Sequence, residues 1–358
     1  MEDIEKIKRI VLNLRLKECV KNSIILDNIA KLTNNDNGEL DLLDNDNSIL
    51  DSKYDNNDSI DQLSSLGISC TFVLENTYPE SLKSLKSPPA LIFYKGEWKK
   101  ELFNKTISIV GTRTPTKYGS EMTRKLGMEL SYNGFTIVSG MAFGIDREAH
   151  LAALESGGPT IAVLASSPNN PTPINNIDIY KSILDKGGLV ISDALPNQPI
   201  LRNSFASRNR IVAGLSEATL IIEAGDKSGT LITAEHARKF NKHVFALPGN
   251  INSHLSLGTN KLIKEGKARL ITSVDDILNA MNMVNYQGSV STVLIENLTD
   301  NESRTYNAMF DSMYIEEVSL KTQSDISDTL TTLSQLELKG LVSITEEGKY
   351  KKLANLIK

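Results

Sequence analysis

Residues 203–235, NSFASRNRIVAGLSEATLIIEAGDKSGTLITAE, constrain this chain more than any other stretch. A basic, polar segment, FASRNR, leads into ATLIIEA, a β-branched run with no polar alternation. Such a run suits a strand covered on both faces. It stops at Gly225, and a Lys-Ser-Gly-Thr turn opens a helical pattern at Leu231, Ala234, Ala237 and Phe240. A small-residue turn between a buried strand and a helix presents backbone N–H groups at the positive end of the helix dipole, which suits a phosphate. A single turn of this kind is explained equally well as an ordinary strand-to-helix connection.

The chain holds two more. In ISIVGTRTPTKYG, residues 107–119, Ile107, Ile109 and Val110 form a strand, Gly111 bends the backbone, and Thr112 and Arg113 follow. A helix is expected from about Tyr118 to Asn133, with Met122, Leu126 and Leu130 at helical spacing. In FTIVSGMAFGIDREAH the strand 135–138 ends at Ser139-Gly140, and Gly144-Ile145-Asp146 precedes a helix, with Asp146 as its expected N-cap. Parallel strands place their C-terminal ends on one edge. The three turns are therefore expected to line one anion-binding groove.

In this order GTR, SGMAFGID, SRNRIVAGLS, EAGDKSGTLITAEHA, LPGNI and SLGTNKLIKEG resemble the DNA-processing protein A (DprA/Smf) family. The upstream run YPESLKSLKSPPALIFYKG is similar to the entry into that family's core, and the resemblance covers roughly residues 66–278. It implies an extended Rossmann-like sheet, binding of incoming single-stranded DNA, help in loading the RecA recombinase during natural transformation, and a homodimer formed through the core. The chain departs from the family pattern at Phe143, where a basic or small residue is usual in SGLARGID. It departs again at 165–176, ASSPNNPTPINN, which usually reads closer to CGLDxxYPxxN.

The net charge of −5 argues at first against a nucleic-acid partner. It is unevenly spread: residues 33–61 carry −8, with nine acidic residues against Lys53, which leaves +3 on the remainder. That balance fits a groove holding a few phosphates and not a broad basic surface. No apolar run is long enough to span a bilayer, and the charged start MEDIEKIKRI does not read as a signal peptide. A cytoplasmic protein without membrane association is expected. Cys19 and Cys70 are isolated, and His150, His236, His243 and His254 lack metal-ligand spacing, so neither a disulfide framework nor a metal or other cofactor is expected.

Four parts are expected. Residues 1–62 hold an amphipathic helix, 1–32, with Ile4, Ile7, Ile10, Val11 and Leu14 on one face, and an Asn/Asp-rich stretch, 33–61, that reads as disordered or loosely looped. Residues 63–280 alternate strands (91–94, 107–110, 136–139, 160–164, 189–192, 219–223 and 243–247) with helices. That alternation implies an α/β fold with a doubly wound, mostly parallel sheet. Residues 281–300 read as a linker. Residues 301–358 show helical patterns near 303–312, 316–323 and 325–339, then two short strands, which suggests a winged helix. Its recognition helix would carry Asp325, Asp328 and Glu337 against Lys339, a poor match to phosphate, so a protein contact is expected of it.

Enzymatic alternatives fit less well. Residues 111–119 are not G-x-G-x-x-G, EAGDKSGT is not a Walker loop, and no G-x-S-x-G elbow surrounds Ser139, Ser166 or Ser228. The nearest rival is a nucleotide phosphoribohydrolase of the lysine-decarboxylase-like type. Ser228-Gly229-Thr230 resembles the centre of its P-G-G-x-G-T-x-x-E signature, but Thr233 stands where its glutamate belongs. A sensor of a small phosphate ligand is the other alternative.

The reading is thus a single-strand DNA-binding protein without catalytic residues. Arg113, Arg208, Arg210 and Lys227 are expected to contact phosphates, with Arg202 beside them. The N–H groups of Gly111, Thr112, Gly140, Gly229 and Thr230 are expected to hold further oxygens. Phe205 is the expected stacking platform. Ser139, Gly144, Asp146, Asn209 and Ser228 complete the DNA-binding turns. Arg208-Asn209-Arg210 would equally pin helix and loop through carboxylates, and Phe205 would equally serve in the core.

Overall fold

The structure, a computed structural model, describes residues 2–33, 54–283, 298–309, 312–339, 341–345 and 348–352. The chain divides into two compact units, Met1–Val284 and Asn285–Lys358. In the first the elements run α1 (Glu2–Leu16), α2 (Asn22–Thr33), α3 (Asp58–Ser65), β1 (Ser69–Phe72), α4 (Glu80–Lys83), β2 (Leu91–Gly96), β3 (Thr106–Val110), α5 (Lys117–Tyr132), β4 (Thr136–Ser139), α6 (Ile145–Glu155), β5 (Thr160–Val163), α7 (Ile177–Asp185), β6 (Leu189–Ser192), α8 (Arg202–Leu215), β7 (Ala218–Ile221), α9 (Thr230–Lys239), β8 (His243–Ala246), α10 (Leu257–Lys264), β9 (Arg269–Leu270) and α11 (Val274–Ala280).

Among the described residues these strands form one nine-stranded sheet in the order β1-β2-β6-β5-β4-β3-β7-β8-β9. From β6 to β9 the neighbours are parallel, whereas β1 and β2 run antiparallel at one edge. Both faces of the central strands are covered, which is why their sequences read as unbroken apolar runs. Side chains alternate between faces along a strand. Ile107 and Ile109 of β3 join Leu126 and Leu130 of α5, Ala149 of α6 and Ile277 of α11. Val110 of β3 and Val138 of β4 join Ile211 and Val212 of α8 and Ala234 and Ala237 of α9. The chain is therefore α/β with a mostly parallel sheet between two helical layers. β1 and β9 escaped the sequence pattern. β1 is an edge strand that is buried only at its end, and β9 is two exposed residues long.

The N-terminal part differs from expectation in two ways. The single helix is two, α1 and α2, broken around Cys19, which takes a left-handed φ of 52°. Asn22 fixes the start of α2, donating from Nδ2 to the Pro88 carbonyl at 2.9 Å and accepting from the Ala90 N–H at 2.7 Å. These helices are also no appendage: Ile7, Ile10, Val11, Leu12 and Ile25 share one core with Phe72, Phe93 and Val212. Of the acidic stretch, residues 34–53 lie outside the described residues. Residues 54–61 are ordered, a correction to the expectation of a loose loop. Asp55 pairs with Arg9 at 2.6 Å, Asp58 with Lys17 at 2.5 Å, and α3 begins at Asp58.

The second unit comprises α12 (Asp300–Ala308), β10 (Ser312–Met313), α13 (Ile315–Thr322), α14 (Ile326–Leu338), β11 (Val342–Ile344) and β12 (Tyr350–Lys352), with the strands in the order β10-β12-β11. Thr299 and Glu302 form a reciprocal capping box at the start of α12. Tyr306, Val318, Leu333, Leu336, Leu341 and Tyr350 form its core. The first helix stops at Ala308 and not near 312, because Ser312 and Met313 pair with Lys351 and Tyr350 as a third strand. Of the expected linker, residues 284–297 lie outside the described residues.

Because Leu12 is fully buried in the shared core, Leu12→Ala should destabilise the first unit by about 2–5 kcal/mol. Urea unfolding followed by far-ultraviolet circular dichroism measures this. A change under about 0.5 kcal/mol would mean that α1 lies on the surface.

Candidate nucleic-acid interface

After β3 the chain adds β4, β5 and β6 in turn on one side, then crosses back to place β7 on the other side of β3. Such a reversal opens a crevice at the C-terminal ends of the strands, the usual ligand position in doubly wound sheets. Here the crevice lies between the turns that follow β3 and β7, with the turn after β4 alongside.

Hydrogen bonds stitch these turns into one rim. Thr112 N–H donates to the Glu223 carbonyl at 2.8 Å, and Ile145 N–H donates to the Thr112 carbonyl at 3.1 Å. Thr230 Oγ1 donates to the Gly111 carbonyl at 3.0 Å and accepts from Ser228 Oγ at 3.0 Å. Gly144 has φ 72°, and a Cβ there would lie 2.5 Å from the Thr112 oxygen. Neither the backbone angle nor the space admits a side chain. Glu223 ends its run beneath this rim. Its carboxylate accepts from Thr116 N at 2.9 Å and Thr116 Oγ1 at 2.5 Å, while Thr116 Oγ1 accepts from Gly119 N at the start of α5.

Two expected contact residues face outward together. Arg113 is exposed, and its guanidinium carbon lies 5.3 Å from the centroid of the half-buried Phe205 ring on α8. That is cation–π distance, and it holds both groups at the same place on the rim. Lys227 is exposed on the neighbouring turn. Asn209 donates from Nδ2 to the Gly229 carbonyl at 3.4 Å, linking α8 to that turn. Arg202 begins α8.

Other expected contacts point inward. Arg208 is buried, donating from Nη1 to the Val163 carbonyl at 3.1 Å with Asp146 Oδ2 at 3.9 Å. It lies directly under Gly140, where a Cβ would collide with Nη1. Arg210 spends its guanidinium on the Ser87 carbonyl at 2.7 Å and on Asp193 at 3.0 Å. Both arginines therefore pin the helix instead of facing a phosphate. Asp146 is not the N-cap of α6; Gly144 holds that position. The Asp146 carboxylate folds back to accept from Gly140 N–H at 3.1 Å. Burial pushes its pKa up, and Arg208 opposes that shift. Ser139 is equally internal, donating to the Ile109 carbonyl at 2.7 Å. Of the backbone donors, Thr112 N–H is bound to Glu223, Gly140 N–H to Asp146, and Thr230 N–H to Ser228 Oγ at 3.2 Å. These three are not available to phosphate oxygens.

Sequence reasoning missed residues that shape the rim from further along the chain. Asn176, in the segment that departs from the family pattern, is buried and donates to the Met141 and Ala142 carbonyls at 2.9 and 3.2 Å. Tyr118 reaches from α5 to the Pro248 carbonyl at 3.2 Å. The quoted LPGNI turn was the available signal for that loop. Among the described residues no cluster of His, Cys, Asp and Glu suits a metal, and no helix is long and apolar enough to cross a membrane.

A family model for the DNA recombination-mediator protein A matches residues 69–282. The chain belongs to that family. It is 40% identical over 210 residues to protein Smf of Synechocystis, a match spanning 58% of this chain but only 52% of that one. It is 40% identical over 206 residues to DprA of Streptococcus pneumoniae, covering 58% of this chain and 72% of that one. The crystal structure of the pneumococcal DprA superposes with a TM-score of 0.63 at 33% identity, covering 77% of this chain and 96% of that one. DprA of Helicobacter pylori, a protein with a single-stranded DNA binding mode, gives a TM-score of 0.54 at 35% identity over 60% of this chain and 95% of that one. The part of the chain shared across the recombination-mediator family carries the switch-point rim; α1 and α2 precede it.

Behind the rim, His150 is fully buried on α6. Thr160 Oγ1 gives its proton to the Ile137 carbonyl at 2.7 Å, so it accepts from His150 Nδ1–H at 2.8 Å. The ring is neutral; burial, aided by the Arg208 charge, lowers its pKa from 6.5 to about 3. Between those values the unfolded chain binds a proton that the folded chain rejects, so stability falls as pH drops below the unfolded value. The expected loss from this group is on the order of 2–3 kcal/mol between pH 6.5 and 4.5. Urea midpoints across that range should show a shallower slope for His150→Gln than for the unsubstituted protein. Equal slopes would place the titration elsewhere.

Proposed function

We propose that this protein binds single-stranded DNA along the switch-point rim and acts as a recombination mediator, protecting the strand and helping to load RecA during transformation. The observation that carries the reading is the exposed Arg113 over the half-buried Phe205 ring, beside turns that are hydrogen-bonded to one another. A guanidinium for the backbone beside an aromatic face for a base is the combination that single-strand binders use. The single-strand binding mode of the related H. pylori protein supports the same assignment. The reading requires no catalytic group. Homodimerisation through the first unit, a cytoplasmic location and a winged-helix role for the second unit belong to the same proposal. On α14 Asp328 and Glu337 are exposed, as is Asp325 just before it. That charge favours a protein partner over duplex DNA for the second unit.

Gel-shift titration with single- and double-stranded oligonucleotides of equal length tests the proposal. Tighter binding to the single strand is expected, and equal or tighter binding to blunt duplex would overturn it. With Arg208 and Arg210 turned inward, two or three cations remain for phosphates. The logarithm of affinity should therefore fall against the logarithm of salt with a slope of about −1.4 to −2. A flat response would favour the small-ligand alternative.

Arg113→Ala should weaken strand binding by about 1.5–3 kcal/mol, ten- to a hundredfold, through loss of a charge-assisted contact. Arg238 pairs only locally with Glu235 at 3.3 Å on α9, and Arg238→Ala should cost under about 0.5 kcal/mol. Titration of both variants at one salt concentration, with thermal melts alongside, separates the rim from the general surface. Two variants that bind like the unsubstituted protein would remove the rim from consideration.

A further inference from the structure

In the second unit β12 is the central strand, with β10 on one side and β11 on the other. Ser312 of β10 and Ser343 of β11 are both paired with Lys351 of β12. One step along the ladder, Thr345 N–H donates to the Lys349 carbonyl at 2.8 Å. The Lys349 ammonium lies 5.1 Å from the centre of the Tyr314 ring. Residues opposite each other in a ladder share a face, and alternate residues of a strand return to it. Ser312, Tyr314, Ser343, Thr345, Lys349 and Lys351 therefore stand on one face of this sheet. Met313, Val342 and Tyr350 stand on the other, in the core. Tyr314 is 45% exposed and Lys351 is exposed.

We propose that this open face is a second contact for single-stranded DNA, with Lys349 and Lys351 on phosphates and Tyr314 against a base. The proposal rests on the reading that the first unit binds such a strand, and it adds a site on the second. Charge selects the occupant. None of the six residues is acidic, whereas Asp325, Asp328 and Glu337 lie on or just before α14. Two ammonium groups, three hydroxyls and a phenol form a set that donates hydrogen bonds to phosphate oxygens. Lys349 and Lys351 are two residues apart on an extended chain, about 7 Å, so one backbone running along β12 meets both.

The aromatic ring selects a single strand over a duplex. Lys349 beside Tyr314 repeats the arrangement of Arg113, whose guanidinium carbon lies 5.3 Å from the Phe205 ring centre. A cation next to a ring meets a phosphate and the base attached to it together. Sheet faces that carry aromatic side chains take unpaired bases in this way. A duplex keeps its bases paired and stacked, so the ring gains no partner from it. Two sites on one chain act together only on a strand long enough to reach both, and the second then binds at a high effective concentration. The sheet face thus makes affinity depend on strand length.

Fluorescence anisotropy on the full chain, with oligothymidine strands from about six to about sixty nucleotides, tests this. The double variant Lys349→Ala/Lys351→Ala should bind the shortest strand like the unsubstituted protein and the longest about three- to tenfold more weakly. The salt slope of the longest strand should be steeper than that of the shortest by about 1.4, from two phosphates at roughly 0.7 each, and the double variant should lose that excess. Irradiation of a long strand carrying 5-iododeoxyuridine should cross-link it to Tyr314, and Tyr314→Leu should remove that cross-link without changing the thermal melt. No loss at any length, or the same loss at every length, overturns the second contact. An equal loss against blunt duplex overturns its single-strand character. If Arg113→Ala binds normally at every length while the lysine variant still weakens the long strand, the sheet face stands and the rim reading falls.

Discussion

At the end of β7 Glu223 gives its main-chain oxygen to Thr112 N–H and its carboxylate to the N–H and hydroxyl of Thr116. One residue thus fixes both the turn after β3 and the first turn of α5, across the point where the strand order reverses. A crevice in a doubly wound sheet is open by topology. Its walls would be free to splay, and this residue ties them. The Thr230–Gly111 bond repeats the tie from the other flank. Arg113 stands where it does because these bonds set its turn, and Phe205 meets it from α8, which Arg208, Asn209 and Arg210 hold in place.

The internal support is electrostatic as well as hydrogen-bonded. Arg208 and Asp146 face each other under the Ser139-Gly140 turn, both buried, at 3.9 Å. A buried pair of this sort adds little net stability against its desolvation, but removing one partner leaves a charge stranded. The pair therefore fixes the height of the turn more than it strengthens the fold. The groups that touch solvent above it are few. A mildly basic core can concentrate its cations on a narrow rim only if the remaining arginines are committed elsewhere, as Arg208 and Arg210 are.

The sheet was legible in the sequence because central parallel strands are buried on both faces and read as plain apolar runs. All seven strand patterns correspond to β2–β8. The edge elements β1 and β9 were not legible, since half-exposed or two-residue strands carry no periodic signal. Arg113 and Phe205 meet on the rim, where a turn and a helix start place them. The orientation of Arg208, Arg210 and Asp146 was not legible, because a motif shows which polar residues gather and not which way each faces. Arg208 and Arg210 are two residues apart on α8; Arg208 is buried against the Val163 carbonyl, whereas the partly exposed Arg210 holds Ser87 and Asp193. The occupied N–H groups of Thr112, Gly140 and Thr230 were hidden for the same reason: their partners lie on other segments.

The N-terminal helices have a consequence for how the chain reaches this state. Lys8 pairs with Glu75 at 2.6 Å, 67 residues later, and α1 and α2 bury their apolar faces against strands that follow them. During synthesis these faces emerge before β1 and β2 and stay uncovered until those strands have left the ribosome. Contacts between distant segments slow folding, and exposed apolar surface invites association in the interval. The charged residues that alternate with this stripe, from Glu2 to Arg15, are the feature of these helices that opposes such association in the interval.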